Sequence, residues 1–204
     1  MRDPRLHTSA TSRRAVLGGL TAVLVAPVLA ACSSTDPLAE QAGNADGKNY
    51  IAGDGSVLEI SPEDRGEPIE FTSTTFDGTP VSTADFAGSP VMLNFWYAAC
   101  APCRVEAPDL VALHDEFGDR VAFYGVNVRD TAGTAEAFER NFEITYPSLE
   151  ERSGEVLLSL SDFVPPQAVP TTLVLDSQTR VAARILGIAE RATLRSLIDT
   201  VVTE

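Results

Sequence analysis

The chain has 204 residues, of which 44% are hydrophobic, 22% are charged and three are cysteines. Fifteen Lys and Arg against 29 Asp and Glu leave a formal net charge of −14 at pH 7, which argues against nucleic acid as a partner and against electrostatic adhesion to an anionic membrane. The length suits one domain with a single core.

Residues 1–31 read as an export signal. Arg2, Arg5, Arg13 and Arg14 form a basic region, and Ala15 to Ala31 is an apolar run of mostly small residues, a little short for a membrane span. Leu29-Ala30-Ala31-Cys32 resembles a bacterial lipobox, which implies that Cys32 carries a diacylglycerol and becomes the mature N-terminus. Ser12-Arg13-Arg14-Ala15-Val16-Leu17 is similar to the twin-arginine signal, with Val16 where Phe is commoner. Residues 32–56, rich in Ser, Asp, Gly, Ala and Asn without apolar periodicity, read as a flexible tether. Removing the leader's four Arg and one Asp leaves 11 basic and 28 acidic residues, a net charge near −17.

Residues 57–204 form the expected domain. Val57–Ile60 and Ile69–Phe76 alternate as short strands, Asp77-Gly78 signals a turn, and Ser82–Phe86 opens with helix-capping residues. Val91–Tyr97 is a nearly continuous apolar run, as in a strand covered on both faces. A helix follows from Cys100 to about Phe117, with Leu110, Leu113 and Phe117 on one face and Pro108 as a kink. Val121–Val128 is a strand, residues 134 to about 142 a helix, Tyr146–Leu149 a short extended piece and Glu155–Leu160 a helix. Thr171–Leu175 and Val181–Leu186 are strands joined by a hairpin loop, and a final helix spans about Arg191 to Val202. The pattern is α/β: a mixed central sheet flanked by helices, preceded by a small β-hairpin.

Chemistry concentrates at Cys100-Ala101-Pro102-Cys103, where a buried strand delivers two thiols to the first turn of a helix. Backbone N–H groups and the helix dipole stabilise a thiolate there. Cys100 is expected to be exposed and to attack; Cys103, one turn on, closes or reopens the ring. Such a pair exchanges two electrons with a partner's disulfide or dithiol and needs no metal or cofactor. A zinc site needs about four N or S ligands, and beyond the N-terminal segment the chain has only Cys100, Cys103 and His114. Haem attachment needs His after the second Cys, where Arg104 stands. With Cys32 lipidated, the two thiols must pair with each other or with a partner, outside the cytoplasm, where a disulfide persists.

Leu93-Asn94-Phe95-Trp96, then Cys-x-Pro-Cys-Arg-x-Glu-x-Pro and Val169-Pro170-Thr171-Thr172, resemble the motifs of the TlpA/ResA group of membrane-anchored thiol-disulfide oxidoreductases, which have the thioredoxin fold. The segments after Val128 and around Tyr146-Pro147-Ser148 fall where that group carries a central insertion. The resemblance covers about Pro68 to Val202. It implies that Cys100 is the nucleophile, Cys103 the resolving thiol and Pro170 a cis-proline beside the disulfide, which frees the Val169 backbone to pair with an extended substrate. It also implies substrate contacts at Trp96 and Pro102, although a strand-core role suits Trp96 better. Glu106 matches the group's characteristic acid; three residues past Cys103, it can take that thiol's proton and raise its pKa. Asn94 stands where thioredoxins keep a buried acid. Ala99 replaces a Trp common in the group, and Tyr97 is a candidate for the missing ring. His114 reads as a surface or packing residue.

By analogy with that group, the function is reduction of disulfides in exported proteins, such as apocytochrome c before haem attachment, with a membrane electron donor. The partners would be disulfide- or dithiol-containing exported proteins, and the protein a lipid-anchored monomer on the extracytoplasmic face of a bacterial membrane. The alternatives are an oxidase that donates its disulfide to secreted proteins, a thiol peroxidase, and a binding domain with a vestigial disulfide. The peroxidase pattern Pro-x-x-x-Thr-x-x-Cys fails at Leu93 and Tyr97.

Overall fold

The computed structural model describes residues 55–86, 88–165 and 168–204. The proposed signal, Cys32 and nearly all of the tether lie outside the described residues. No described helix is long and apolar enough to cross a membrane.

The described residues hold eight strands: β1 (Val57–Glu59), β2 (Thr72–Thr74), β3 (Pro80–Ser82), β4 (Val91–Trp96), β5 (Ala122–Asn127), β6 (Ser148–Glu150), β7 (Thr171–Leu175) and β8 (Val181–Leu186). The α-helices are α1 (Ala101–Phe117), α2 (Ala132–Phe142), α3 (Glu155–Ser159) and α4 (Arg191–Thr203), with a 3-10 turn at Thr83–Phe86. Six strands form one mixed sheet in the order β1-β8-β7-β4-β5-β6, and β2 and β3 form a separate antiparallel hairpin. β4 lies at the centre, parallel to β5 and antiparallel to β7, and all six of its residues are buried. Its apolar run follows from that position, since both faces need cover.

α1 joins β4 to β5 and α2 joins β5 to β6. Both are parallel crossovers stepping the same way, and right-handed connections of that kind place their helices on one face. α4 packs beside α1, where Arg195 pairs with Glu116. The hairpin, the 3-10 turn and α3 cover the other face, with Phe86 between Phe71 and Tyr124. The stretch expected as the central insertion holds α2 and β6.

The hairpin turns at Asp77-Gly78 as expected, but its strands are β2 and β3. Val57–Glu59 instead closes the far edge of the main sheet against β8, with Val57 opposite Ile185. Gly55 and Ser56, expected in the tether, already bond to Leu186: the Gly55 N–H donates to its carbonyl (2.7 Å), and its N–H donates to the Ser56 carbonyl (3.0 Å). Arg65 fixes the connection that follows. It is buried, paired with Asp176 at 3.1 Å and Glu204 at 2.5 Å. α1 continues through Pro108 as one helix.

Candidate active site

β4 ends where α1 begins, and the two cysteines sit at that junction. Cys100 is the helix N-cap, with extended backbone, and its sulfur accepts a hydrogen bond from the Cys103 N–H at 3.3 Å. Pro102, in the first turn, has no N–H to compete, so the donor that remains points at the sulfur. Cys100 and Cys103 form a disulfide, with Cα atoms 5.3 Å apart.

The expectation that Cys100 is exposed does not hold. Its exposure is 0% and that of Cys103 is 2%. Both belong to the apolar cluster that contains Phe95, Tyr97 and Val169, and the exposed tip of the turn is Ala101. Any preference for Cys100 as nucleophile therefore rests on its capping position, not on exposure. Trp96, expected against substrate, is also buried: it is 3% exposed, with its ring 4.5 Å from that of Phe138 on α2. The strand register turns it toward the helix layer, away from solvent. Pro102 is partly exposed and stays available to a partner.

The Val169–Pro170 peptide bond is cis. Pro170 directly precedes the Phe95–Thr171 pair, which sets it at the end of β4 from which the chain runs on to the cysteines. Its carbonyl accepts the Gly187 N–H at 2.8 Å. The Val169 and Pro170 side chains are buried.

Glu106 lies one turn beyond Cys103 and is 1% exposed. Asn94 Nδ2 donates to one carboxyl oxygen at 2.7 Å, and the Ala189 N–H donates to the other at 2.8 Å. Asn94 Nδ2 also reaches Thr172 Oγ1 at 3.0 Å. Burial pushes the carboxyl up, the two hydrogen bonds offset part of that effect, and the result is about 7. A carboxyl poised there both accepts and releases protons at neutral pH.

Several supporting groups carry no sequence signal of their own. Asp130, beyond β5, accepts the Ala98 N–H at 2.6 Å and Asn127 Nδ2 at 2.9 Å, which pins the loop before Cys100. Arg104 donates to the Ala98 carbonyl at 3.3 Å and stacks on Phe142. Tyr97, the candidate for the missing ring, is buried with the Arg129 guanidinium 4.2 Å above it. His114 packs edge-on against Phe123 and Tyr146 and bonds Thr145, so its place is in packing.

A thioredoxin-like sheet with a CxxC disulfide at a helix N-terminus defines a thiol-disulfide oxidoreductase. The chain belongs to the AhpC/TSA family, whose model matches residues 66–184. It is 35% identical to a DsbF homologue from Corynebacterium diphtheriae, with a TM-score of 0.67 over 72% of this chain and 94% of that one. A secreted thiol-disulfide isomerase from Corynebacterium glutamicum is 30% identical, with a TM-score of 0.68 over 76% and 97% of the two chains. The thiol-disulfide oxidoreductase ResA of Bacillus thuringiensis subsp. konkukian is 25% identical over 122 residues, 59% of this chain and 68% of that protein.

Proposed function

We propose that the protein reduces disulfides of exported proteins on the extracytoplasmic face of a bacterial membrane, with apocytochrome c cysteines as substrate. The observation that carries this reading is the buried Glu106 carboxyl, raised to about 7 and one helical turn from Cys103.

In the proposed cycle the reduced Cys100 thiolate, held by the Cys103 N–H and the helix dipole, attacks a substrate disulfide. A mixed disulfide forms and one substrate thiolate leaves. Glu106 then takes the proton of the Cys103 thiol. The new thiolate attacks Cys100 Sγ, the second substrate sulfur departs as a thiolate, and the closed pair of this structure results. The Val169 backbone and Pro102 would flank the substrate chain, while Pro170 holds that loop beside the disulfide. A membrane dithiol donor would return two electrons. The export signal of residues 1–31, the lipid on Cys32 and the tether would keep a monomeric domain at the membrane surface.

Cys103→Ser should accumulate mixed disulfides with substrate, because the resolving thiol is gone; Cys100→Ser should not. Partner capture by Cys100→Ser alone would reverse the two roles. The direction of transfer is read from the reduction potential. A value near that of thioredoxin, about −270 mV, supports a reductase, and one near that of DsbA, about −120 mV, makes the protein an oxidase.

A further inference from the structure

Arg65, Arg140, Arg152, Arg180 and Arg195 each pair with a carboxylate. Arg104, next in sequence to Cys103, pairs with none among the described residues. It is exposed, yet it is held in place. Nη1 donates to the Ala98 carbonyl at 3.3 Å, and the guanidinium lies 5.1 Å from the Phe142 ring centroid and 5.9 Å from that of Phe138. That hydrogen bond uses one of the five guanidinium N–H donors. Stacking orients the remaining donors in advance, so less entropy is lost when they engage a partner.

Arg104 lines a groove of about 460 Å³ between the start of α1 and α2. The other lining residues are Ala98, Gly133, Thr134, Ala137, Phe138 and Asn141, so no carboxylate lines this groove in a chain with 29 acidic residues. Asp130 is committed to the Ala98 N–H and the Asn127 amide, and Glu136 pairs with Arg140 at 3.7 Å; neither lines the groove. The groove adjoins the redox loop. Ala98 stands two residues before Cys100, at most about 7 Å along the chain. A partner residue two places from the cysteine that Cys100 attacks spans the same distance, which brings its side chain within reach of Arg104.

We propose that this groove takes the carboxylate of an aspartate or glutamate that neighbours the reactive cysteines of the redox partner. The guanidinium fork matches a carboxylate in shape and charge. Selection is local: at 0.1 M salt the screening length is about 10 Å, so acids at the far end of the domain, such as Glu63, Asp64 and Glu67, are screened from Arg104. The whole-chain charge of −14 favours the opposite, a basic partner segment. The assignment deepens the redox reading and rests on it.

The test uses the full chain with Cys32→Ser, reduced with dithiothreitol and freed of it. Its substrates are the disulfide-linked dimers of the capped tripeptide Asp-Gly-Cys, the Asn and Lys analogues, and all three in reversed order. In each reaction the two protein thiols become the Cys100–Cys103 disulfide and the peptide disulfide becomes two thiols. Oxidation rates, read by acid quench, alkylation and mass, are divided by the rate of the same peptide with 2-mercaptoethanol, which cancels the peptide's own reactivity. At 0.1 M salt the Asp peptide of at least one order should react roughly two- to fivefold faster than its Asn analogue, and the Lys peptide more slowly. Salt at 1 M should remove the difference. Arg104→Gln should bring the Asp-to-Asn ratio to one or below, and Arg104→Lys should keep part of it. A change in loop packing alone would alter all the peptides alike and leave the ratio standing. No exchange with the Asn peptides would refute the redox reading and the groove with it. Exchange with a ratio of one or less in both orders, or a ratio unmoved by Arg104→Gln, would overturn the groove alone. Arg104-dependent binding to phosphatidylglycerol vesicles at a peptide ratio of one would make lipid the occupant and overturn the protein partner.

Discussion

At Glu106 burial and hydrogen bonding pull in opposite directions, and burial wins. The folded-state value, about 7 against an ordinary 4.5, means that the folded protein holds this proton more tightly than the unfolded chain does. Stability from this group is therefore complete below about pH 4.5 and falls as pH rises through about 7, by an upper limit of about 3 kcal/mol. Glu106→Gln should remove that slope. Urea unfolding of both proteins at pH 5 and pH 8 is the check, and parallel pH dependences would contradict the assignment. In the reduced state the same variant should slow thiol exchange near neutral pH and lower the pKa of Cys103, read by thiolate absorbance. Sequence pointed to Glu106 only through its spacing and family pattern. Hydropathy pointed the wrong way, since Val105 is 64% exposed while its charged neighbour is 1% exposed. What draws Glu106 inward is Asn94 on one side and the Ala189 N–H on the other, and the second lies 83 residues away, beyond any local signal.

Among the elements, β4 and α1 were readable because local patterns determine them: an apolar run between turn signals, then an N-cap and helical periodicity. The partner of β1 was not readable. Strands of three residues carry too little alternation to specify a partner, and the partner of β1 lies more than 120 residues on. The loop between β4 and α1 was equally opaque, because its anchor, Asp130, belongs to the turn after β5. Asp130→Ala should free the Ala98 N–H and the Asn127 amide, at a cost of about 1–2 kcal/mol. Hydrogen exchange should accelerate at Ala98 more than within β4. Uniform protection in the variant would mean that Asp130 does not hold the loop.

For the molecule as a whole, Arg65 ties the segment before the hairpin to the β7–β8 turn and to the end of α4. Its side chain is 1% exposed and that of Asp176 is 4% exposed. Breaking such a buried pair on one side leaves a charge without compensation, so Arg65→Met should cost roughly 3 kcal/mol at pH 7. Burial alone would raise the Asp176 carboxyl, but the Arg180 N–H, the Arg65 guanidinium and further donors outweigh it and hold the group below its ordinary value. Its contribution is present above about pH 4 and fades below, as the carboxyl is protonated. The deficit of Arg65→Met should therefore narrow in acid. Chemical denaturation at pH 7 and pH 3 measures it, and a constant deficit would rule out Asp176 as the partner that matters.

The placement of β1 has a mechanical consequence. A pull applied upstream of Gly55 loads a three-residue edge strand first; residues 57–60 can peel from β8, and 61–64 can straighten, before the load reaches the ion pairs of Arg65. Extended chain of that length spans about 25 Å, which sets the ceiling on the slack, while β4, the disulfide and Glu106 stay in place. In a force-extension experiment this appears as a short lengthening step ahead of global rupture, and Arg65→Met should merge the two events. If the domain hangs from a surface as proposed, this edge strand gives it a reserve of reach that leaves its catalytic end undisturbed.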